Sequence, residues 1–86
     1  MTDQTNIFDP KDVNNKVVKE TLDDVKEALE ERGYNSVNQL VGYLISGDPG
    51  YISSYKDSRS KIQELDRAKI VEILLVEFQK NNKWDI

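Results

Sequence analysis

The stretch that decides the fold is residues 33–51, GYNSVNQLVGYLISGDPGY. Asn35 or Ser36 is suited to cap a helix start, and Gly47 is suited to end that helix. Asp48-Pro49 then supplies a second cap followed by a residue of fixed φ, which predicts one further turn. Between the caps, apolar residues recur at the helical spacing that forms one stripe, namely Val37, Leu40, Val41, Leu44 and Ile45.

The segment before this stretch also has the apolar spacing of a helix, which we expect over residues 12–32. Its start is ambiguous. Asp9 followed by Pro10 resembles an N-cap with proline at the first helical position, and Asn14 or Asn15 could cap instead. Gly33 suits a left-handed C-cap at its end.

Two helices are expected after the stretch. The first is short, with Ser54 to Asp57 resembling a capping box and with Ile62 and Leu65 as a thin apolar edge. The second is expected over residues 67–80, with Asp66 as its cap. No segment reads as a convincing strand.

The last helix carries more apolar residues than one core requires. They cover more than half of its circumference, whereas a helix facing one core needs an arc of about 100°. We therefore expect it to bury one side in its own domain and the other against a second copy, because two-fold dimers are the commonest oligomers. The candidate dimer interface is Val71, Leu75, Val76 and Phe78.

These patterns predict an all-α fold, a compact bundle of about four short-to-medium helices that forms a homodimer. We expect a flexible N-terminal tail over residues 1–11, a helical domain over residues 12–80 and a C-terminal tail over residues 81–86. A chain of 86 residues has a small core, so self-association would help it to stay folded.

Composition argues against catalysis. The chain has no histidine and no cysteine, so it lacks the commonest general base and every thiolate ligand. Ser58-x-x-Lys61 matches a nucleophile motif only in its bare letters. The turn at residues 47–50 lacks the glycine followed by Lys and Ser/Thr that ends a phosphate-binding loop, and no strand precedes it. We expect no catalytic residue, no metal and no cofactor.

The charge and hydropathy of the chain predict its surroundings. No apolar run approaches a membrane span and no signal peptide is evident, so we expect a cytoplasmic protein without membrane insertion.

A small helical nucleic-acid-binding regulator is the alternative function, because short helices flank a glycine-containing turn. Its basic residues, Lys56, Arg59, Lys61 and Arg67, are interspersed with acids, and the net charge of −4 argues against nucleic acid as a partner.

Four tyrosines cluster around the second helix, and this residue type is enriched at interfaces. Tyr43 lies off the apolar stripe, so it is the best interface candidate. The pattern leaves open whether Tyr43 faces a partner or a second internal helix. Tyr34 and Tyr51 are expected to pack beside the glycine turns.

The chain resembles the IreB family of small regulators from Gram-positive bacteria. The resemblance is carried by Glu31-Arg32-Gly33-Tyr34-Asn35, Asn38-Gln39-Leu40-Val41-Gly42-Tyr43-Leu44, Ser46-Gly47-Asp48-Pro49 and Tyr51-Ile52, and it continues through Lys56-Asp57, Arg59, Ile62 and Asp66-Arg67. It implies a small, all-helical, cytoplasmic homodimer without enzymatic activity. Within the matched residues we expect an interaction surface that includes Tyr43, Asp48, Tyr51 and Arg59.

The resemblance also implies regulation by phosphorylation. Thr2-Asp3-Gln4-Thr5 is similar to the family's Thr-Asp-Glu-Thr, which places phosphorylation at Thr2 and Thr5. The implied partners are a transmembrane Ser/Thr kinase that senses the cell wall, its opposing phosphatase and an unknown downstream protein. The implied pathway is one of cell-wall stress and tolerance to cell-wall-active antibiotics.

Overall fold

The computed structural model describes residues 10–82, which form four α-helices and two single 3₁₀ turns, with no β-strand in that range. The all-α class expected from the sequence is therefore confirmed for this part of the chain. The α-helices are α1 (Pro10–Glu31), α2 (Ser36–Ser46), α3 (Ser58–Gln63) and α4 (Arg67–Asn82), and the turns are Pro49–Tyr51 and Tyr55–Asp57.

The ends of α1 follow from the residues at its two termini. It begins at Pro10, two residues before the expected start, because proline has a helical φ and lacks the N–H that a first turn leaves unpaired. After its end, Gly33 adopts a φ of 84°. The Gly33 amide donates to the Glu30 carbonyl and the Tyr34 amide to the Leu29 carbonyl, both at 3.0 Å. This pair of bonds is a Schellman motif, so the predicted glycine cap is confirmed.

The caps of α2 also form as predicted. The Asn35 side chain accepts from the Asn38 amide, and Gly47 at φ 76° donates its own amide to the Tyr43 carbonyl. The Asp48 carboxylate accepts from the Gly50 amide at 2.8 Å. It thereby caps the Pro49–Tyr51 turn, the further single turn that the sequence predicted.

The core lies along one face of α1. That helix supplies four of the buried apolar residues, α4 supplies two, and α2, α3 and the segment after the Pro49–Tyr51 turn supply one each. Together they are Val18, Val25, Ala28, Leu29, Tyr43, Ile52, Ile62, Ile70 and Ile73. Leu22, Leu40, Leu44 and Leu65 pack against this cluster while remaining partly exposed. The short elements are therefore held mainly by their contacts with α1 and with one another across this single cluster.

The orientation of α2 differs from the expected one. Its apolar stripe does not face the core as a whole, because Val37, Val41 and Ile45 are 66%, 47% and 79% exposed. Tyr43 lies in the core instead, at 4% exposure. The structure thus places Tyr43 against internal helices and removes it from the expected interaction surface.

Contacts at three points explain the rotation of α2. The Ser36 hydroxyl donates to the Glu30 carboxylate at 2.8 Å, which turns the first residue of α2 toward α1. Arg67 Nη1 donates to the Leu44 carbonyl at 3.1 Å. The Tyr51 ring packs directly on Gly42, where a side chain would collide with it. With these contacts made, Tyr43 is the large side chain that points inward.

The start of α3 also differs from the prediction, because the capping box does not form. The Ser54 side chain makes no capping hydrogen bond, and the neighbouring Ser53 hydroxyl accepts from the Tyr55 amide at 3.0 Å. Lys56 and Asp57 adopt left-handed φ values of 55° and 61°. The chain therefore makes a 3₁₀ turn first, and α3 begins only at Ser58.

The start of α4 agrees with the prediction, and its end lies further along the chain. The Asp66 carboxylate accepts from the Ala68 amide at 3.1 Å, so it is the cap. The helix continues to Asn82, two residues beyond the expected end. Among residues 10–82, none of the helices has both the length and the apolarity needed to cross a bilayer.

We predict that Gly42→Ala destabilises the protein. A Cβ at this position would lie 2.5 Å from Cδ1 of Tyr51. Overpacking of this kind costs about 1–3 kcal/mol, against the roughly 1 kcal/mol that alanine gains over glycine inside a helix. Urea unfolding should show a lower midpoint for G42A than for the wild type.

The matched control is Tyr51→Ala, which removes the colliding ring. In that background the same Gly42→Ala change should raise the unfolding midpoint, because only the helical preference of alanine remains. If Gly42→Ala changed the unfolding midpoint equally with and without the Tyr51 ring, contact with that ring would not be the reason that position 42 requires glycine.

Candidate interaction surface

The exposed side of α4 carries a continuous apolar face. Val71, Leu74, Leu75 and Phe78 follow the i, i+3, i+4, i+7 spacing of one helical stripe, and they are 39%, 44%, 50% and 50% exposed. We call these four residues the α4 stripe. The buried residues of the helix, Ile70 and Ile73, lie on a different side of it. The protomer therefore leaves apolar surface of α4 uncovered.

Three of the four residues expected at a dimer interface lie together on the α4 stripe, namely Val71, Leu75 and Phe78. Val76 does not, because it lies on the flank beside α1, where it lines a groove with Asn15. Leu74 was absent from the expected set, although its position three residues after Val71 places it on the same stripe.

A second apolar face lies on α2. It consists of Val37, Val41 and Ile45, which follow one another at i+4 spacing and are all exposed; we call them the α2 stripe. No residue of α2 is charged. A depression lined by Leu44, Asp66, Arg67, Ala68 and Val71 joins the end of α2 to the first residue of the α4 stripe.

The turn after α2 brings together two of the residues expected at an interaction surface. Asp48 and Tyr51 line a shallow cleft with Gln39 and Gly50. Tyr51 is 40% exposed, and its carbonyl accepts from Gln39 Nε2 at 2.9 Å. Because Asp48 also caps the turn, it has a structural role as well as an exposed position.

Arg59 lies on α3, and its side chain helps to hold the same segment. Its Nε donates to the carbonyl of Ile52, the residue after Tyr51, at 2.9 Å. The expected phosphorylation sites Thr2 and Thr5 lie outside the described residues, so their position relative to these faces stays a prediction.

The end of α1 holds an ionic cluster that sequence reasoning missed. Glu31 accepts from the Tyr55 hydroxyl at 3.0 Å and pairs with Lys56 Nζ at 3.0 Å, while the Arg32 guanidinium lies 5.1 Å from the Tyr55 ring centre. Hydrogen bonds from Lys56 and then Tyr55 lower the pKa of the Glu31 carboxyl. Partners 24 and 25 residues apart give no local sequence signal.

The basic residues that a nucleic-acid interface would use have partners within the protein. Lys56 pairs with Glu31 and Lys61 with Asp24 at 3.5 Å. Arg59 and Arg67 donate to the carbonyls of Ile52 and Leu44. Phosphate binding depends on cations that neutralise the backbone, so these contacts weaken the nucleic-acid hypothesis.

The serine and acidic side chains have structural partners too. Ser58 is 1% exposed, and its hydroxyl donates to the Tyr55 carbonyl at 2.8 Å, while Lys61 reaches Asp24. Glu77 pairs with Lys19 at 2.7 Å, and this hydrogen bond lowers the pKa of Glu77. Across residues 10–82, no group of three or more His, Cys, Asp or Glu side chains is arranged to hold a metal ion.

We predict that the contribution of Glu31 to stability depends on pH. Its folded-state pKa lies below the usual value of 4.5, so its stabilisation is complete above that pH and is lost as the pH falls through the lower folded-state pKa. Urea unfolding at pH 7 should show Glu31→Gln to be less stable than the wild type, and the difference should close under acid conditions.

Glu20→Gln, a change at an exposed carboxyl elsewhere on α1, is the control and should show a smaller difference at pH 7. A difference between Glu31→Gln and the wild type that stayed constant from pH 7 into the acid range would contradict a role for the Glu31 charge.

Comparison with known protein families gives a match over nearly the whole chain. The family model described as IreB regulatory phosphoprotein matches residues 3–80. The matched range contains all of α1, α2 and α3 and all but the last two residues of α4. It also includes Thr5 and begins directly after Thr2.

Proposed function

The chain belongs to the IreB family of regulatory phosphoproteins, and we propose that it is a non-enzymatic regulator that acts through protein–protein contacts controlled by phosphorylation of Thr2 and Thr5. The observation that carries this proposal is the family match over residues 3–80. The exposed α2 and α4 stripes support it, because contiguous apolar faces on a small domain are typical of interaction sites.

The proposed modifying enzyme is a transmembrane Ser/Thr kinase that senses the cell wall, opposed by a phosphatase. This role requires a cytoplasmic location in a Gram-positive bacterium and a downstream protein that reads the phosphorylation state. The outcome in the cell would be altered tolerance to cell-wall-active antibiotics. The similarity of Thr2-Asp3-Gln4-Thr5 to the family's Thr-Asp-Glu-Thr supports this assignment.

Phosphorylation would change the charge of the chain substantially. Each phosphate adds about −1.5 to −2 charges at neutral pH. Two phosphates would take the protomer from −4 to about −7 or −8. In a dimer, two such tails would repel an acidic partner or dock on a basic one. The surface offered to the downstream protein would differ between the two states.

The proposed assembly is a homodimer formed through the α4 stripe. Its four side chains are exposed in the protomer, and burying apolar surface stabilises a complex by about 25 cal/mol per Å². The stripe has the i, i+3, i+4, i+7 spacing that lets two helices pack along one seam. A dimer of this kind leaves the α2 stripe available for a different partner.

We predict that phosphate is incorporated at Thr2 and Thr5 only. Incubating the protein with the catalytic domain of a cell-wall-sensing Ser/Thr kinase and radiolabelled ATP should label the wild type. The double change Thr2→Ala and Thr5→Ala should abolish the label, and each single change should lower it.

Thr21→Ala on α1 is the matched control and should leave the label unchanged. Full labelling of the Thr2→Ala, Thr5→Ala double variant, or no labelling of the wild type, would overturn the proposed phosphorylation sites.

We predict that sedimentation of the wild type gives twice the 9.9 kDa of one chain. Leu75→Lys should shift the mass toward 9.9 kDa, because it places a charge at the proposed seam. The side chain is half exposed in the protomer, so the variant should keep its helical circular dichroism.

The matched control is Val37→Lys on the α2 stripe, which should leave the dimer intact. A monomeric wild type would refute the dimer. If Val37→Lys dissociated the dimer and Leu75→Lys did not, the dimer interface would lie on α2 and not on α4.

A further inference from the structure

The 3₁₀ turn Tyr55–Asp57 has a strained backbone. Lys56 and Asp57 are adjacent, neither is glycine, and their φ values are 55° and 61°. A left-handed backbone costs free energy for any residue with a Cβ, because the Cβ comes too close to the following carbonyl oxygen. Within residues 10–82, the other positive φ values belong to glycines, which do not have this cost. The turn therefore persists only because other contacts hold it.

The contacts that hold the turn come from Glu31 at the end of α1. Its carboxylate accepts from the Tyr55 hydroxyl at 3.0 Å and pairs with Lys56 Nζ at 3.0 Å; we call these two contacts the α1 latch. The hydrogen bond to Glu31 also raises the pKa of Lys56. Neighbouring positions on a regular helix do not face each other. The α1 latch, which draws two neighbouring side chains to one carboxylate, therefore competes with a helical backbone at these residues.

The residues of the turn themselves favour a helix. Ser54 and Asp57 have the spacing of a capping box, in which each side chain accepts from the backbone amide of the other residue. Both residues are exposed, and neither side chain makes a capping hydrogen bond. A helix that began at Tyr55 would also place Asp57 four residues before Lys61, the favourable order for an acid and a base. These stabilising contacts are absent while the α1 latch is closed.

A longer α3 would keep the apolar pattern of that helix. Its buried residues are Ser58 and Ile62, and Tyr55 precedes them at i−3 and i−7, which is the same helical face. Lys56 would lie on the face of Ser60, which is exposed. Extension of α3 would thus turn the Tyr55 ring inward and the Lys56 side chain outward, and the α1 latch would open.

We propose that residues 54–58 form a two-state switch. In the closed state, which the structure shows, the α1 latch holds the left-handed turn. In the open state the latch is broken, and residues 55–57 continue α3 toward its N-terminus with Ser54 as the cap. The closed state is the more stable one as long as the Glu31 carboxylate is charged and available to the turn. The switch needs no phosphorylation of the chain.

A partner protein would open the switch by competing for Glu31. The side chain of Glu31 is 39% exposed, so a lysine or arginine of a partner can replace Lys56 at the carboxylate. A ligand that binds one of two states better shifts the protein toward that state. Binding at the end of α1 would thereby change the conformation of the segment that leads to Arg59. This regulatory use rests on the proposed function in protein–protein contacts, whereas the switch itself does not.

NMR of the full-length protein distinguishes the two states. A strong NOE between the amide and Hα protons of one residue marks a positive φ, and an NOE from Hα to the amide three residues ahead marks a helix. In the wild type we expect the first signature at Lys56 and Asp57. In Glu31→Ala we expect its loss, with new helical NOEs from these two residues. Glu20→Ala, which removes an exposed carboxyl elsewhere on α1, should keep the wild-type signature.

Two adjacent serines provide a matched pair of variants with opposite effects. The Ser53 hydroxyl accepts from the Tyr55 amide in the closed state, so Ser53→Ala should shift the turn toward the helical signature. Ser54 makes no capping bond in the closed state and is the cap of the open state only. Ser54→Ala should therefore leave the wild-type spectrum unchanged and restore the left-handed signature in the Glu31→Ala background.

Tyr55→Phe opens the switch in part, because it removes one of the two contacts of the α1 latch. The amide signals of Lys56 and Asp57 should move part of the way along the line that joins their positions in the wild type and in Glu31→Ala. Such collinear shifts are expected when two states exchange rapidly. A shift in a different direction would show a third conformation and contradict a two-state switch.

Unchanged signals of Val37 and Ile45 on α2 would show that each variant remains folded. A left-handed signature at Lys56 and Asp57 that persisted in Glu31→Ala would overturn the proposal, and so would a turn with neither signature in that variant. Equal effects of the two serine changes would contradict it as well. Because the experiment uses the unphosphorylated protein alone, none of these outcomes depends on a kinase or on a partner.

Discussion

Burial of one face of α1 is the interaction on which the rest of the structure depends. Val18, Val25, Ala28 and Leu29 are at most 2% exposed, whereas α4 adds two buried apolar residues and α2, α3 and the segment at Ile52 add one each. A chain of this size has little area to bury, so once α1 is covered the other elements keep apolar side chains outside. The α2 and α4 stripes are the apolar surface that this core leaves exposed. That exposed surface is the physical basis for a function in protein–protein interaction.

The local features of the fold could be predicted from sequence because their causes are local. Gly33 and Gly47 end helices through a left-handed φ, and Asn35, Asp48 and Asp66 accept hydrogen bonds from amides two or three residues ahead. The excess apolar surface of α4 was also evident from its spacing. The proposed phosphorylation of Thr2 and Thr5 rests on the family resemblance alone, since without it the two threonines are ordinary residues of a polar segment.

The features that could not be predicted depend on contacts between distant residues. The rotation of α2 follows from Glu30 binding Ser36 and from Arg67 binding the Leu44 carbonyl, 23 residues away. The spacing of apolar residues within α2 carries no information about these contacts, so the sequence of α2 could not show that Tyr43 is buried. The failed capping box at Ser54 has a similar origin, because Lys56 adopts its left-handed conformation while paired with Glu31 on α1.

The absence of charge from α2 separates two kinds of surface on one small molecule. Ser36–Ser46 contains no ionisable side chain, whereas the surface where α1 meets α4 carries the Lys19–Glu77 and Lys69–Glu72 pairs. Dissolved salt screens exposed charges and leaves apolar contact largely intact. A complex made through α2 would therefore keep its affinity as ionic strength rises, while one that relies on the lysines of α1 and α4 would weaken. Ionic strength is thus a simple means of telling which of the two surfaces a captured protein occupies.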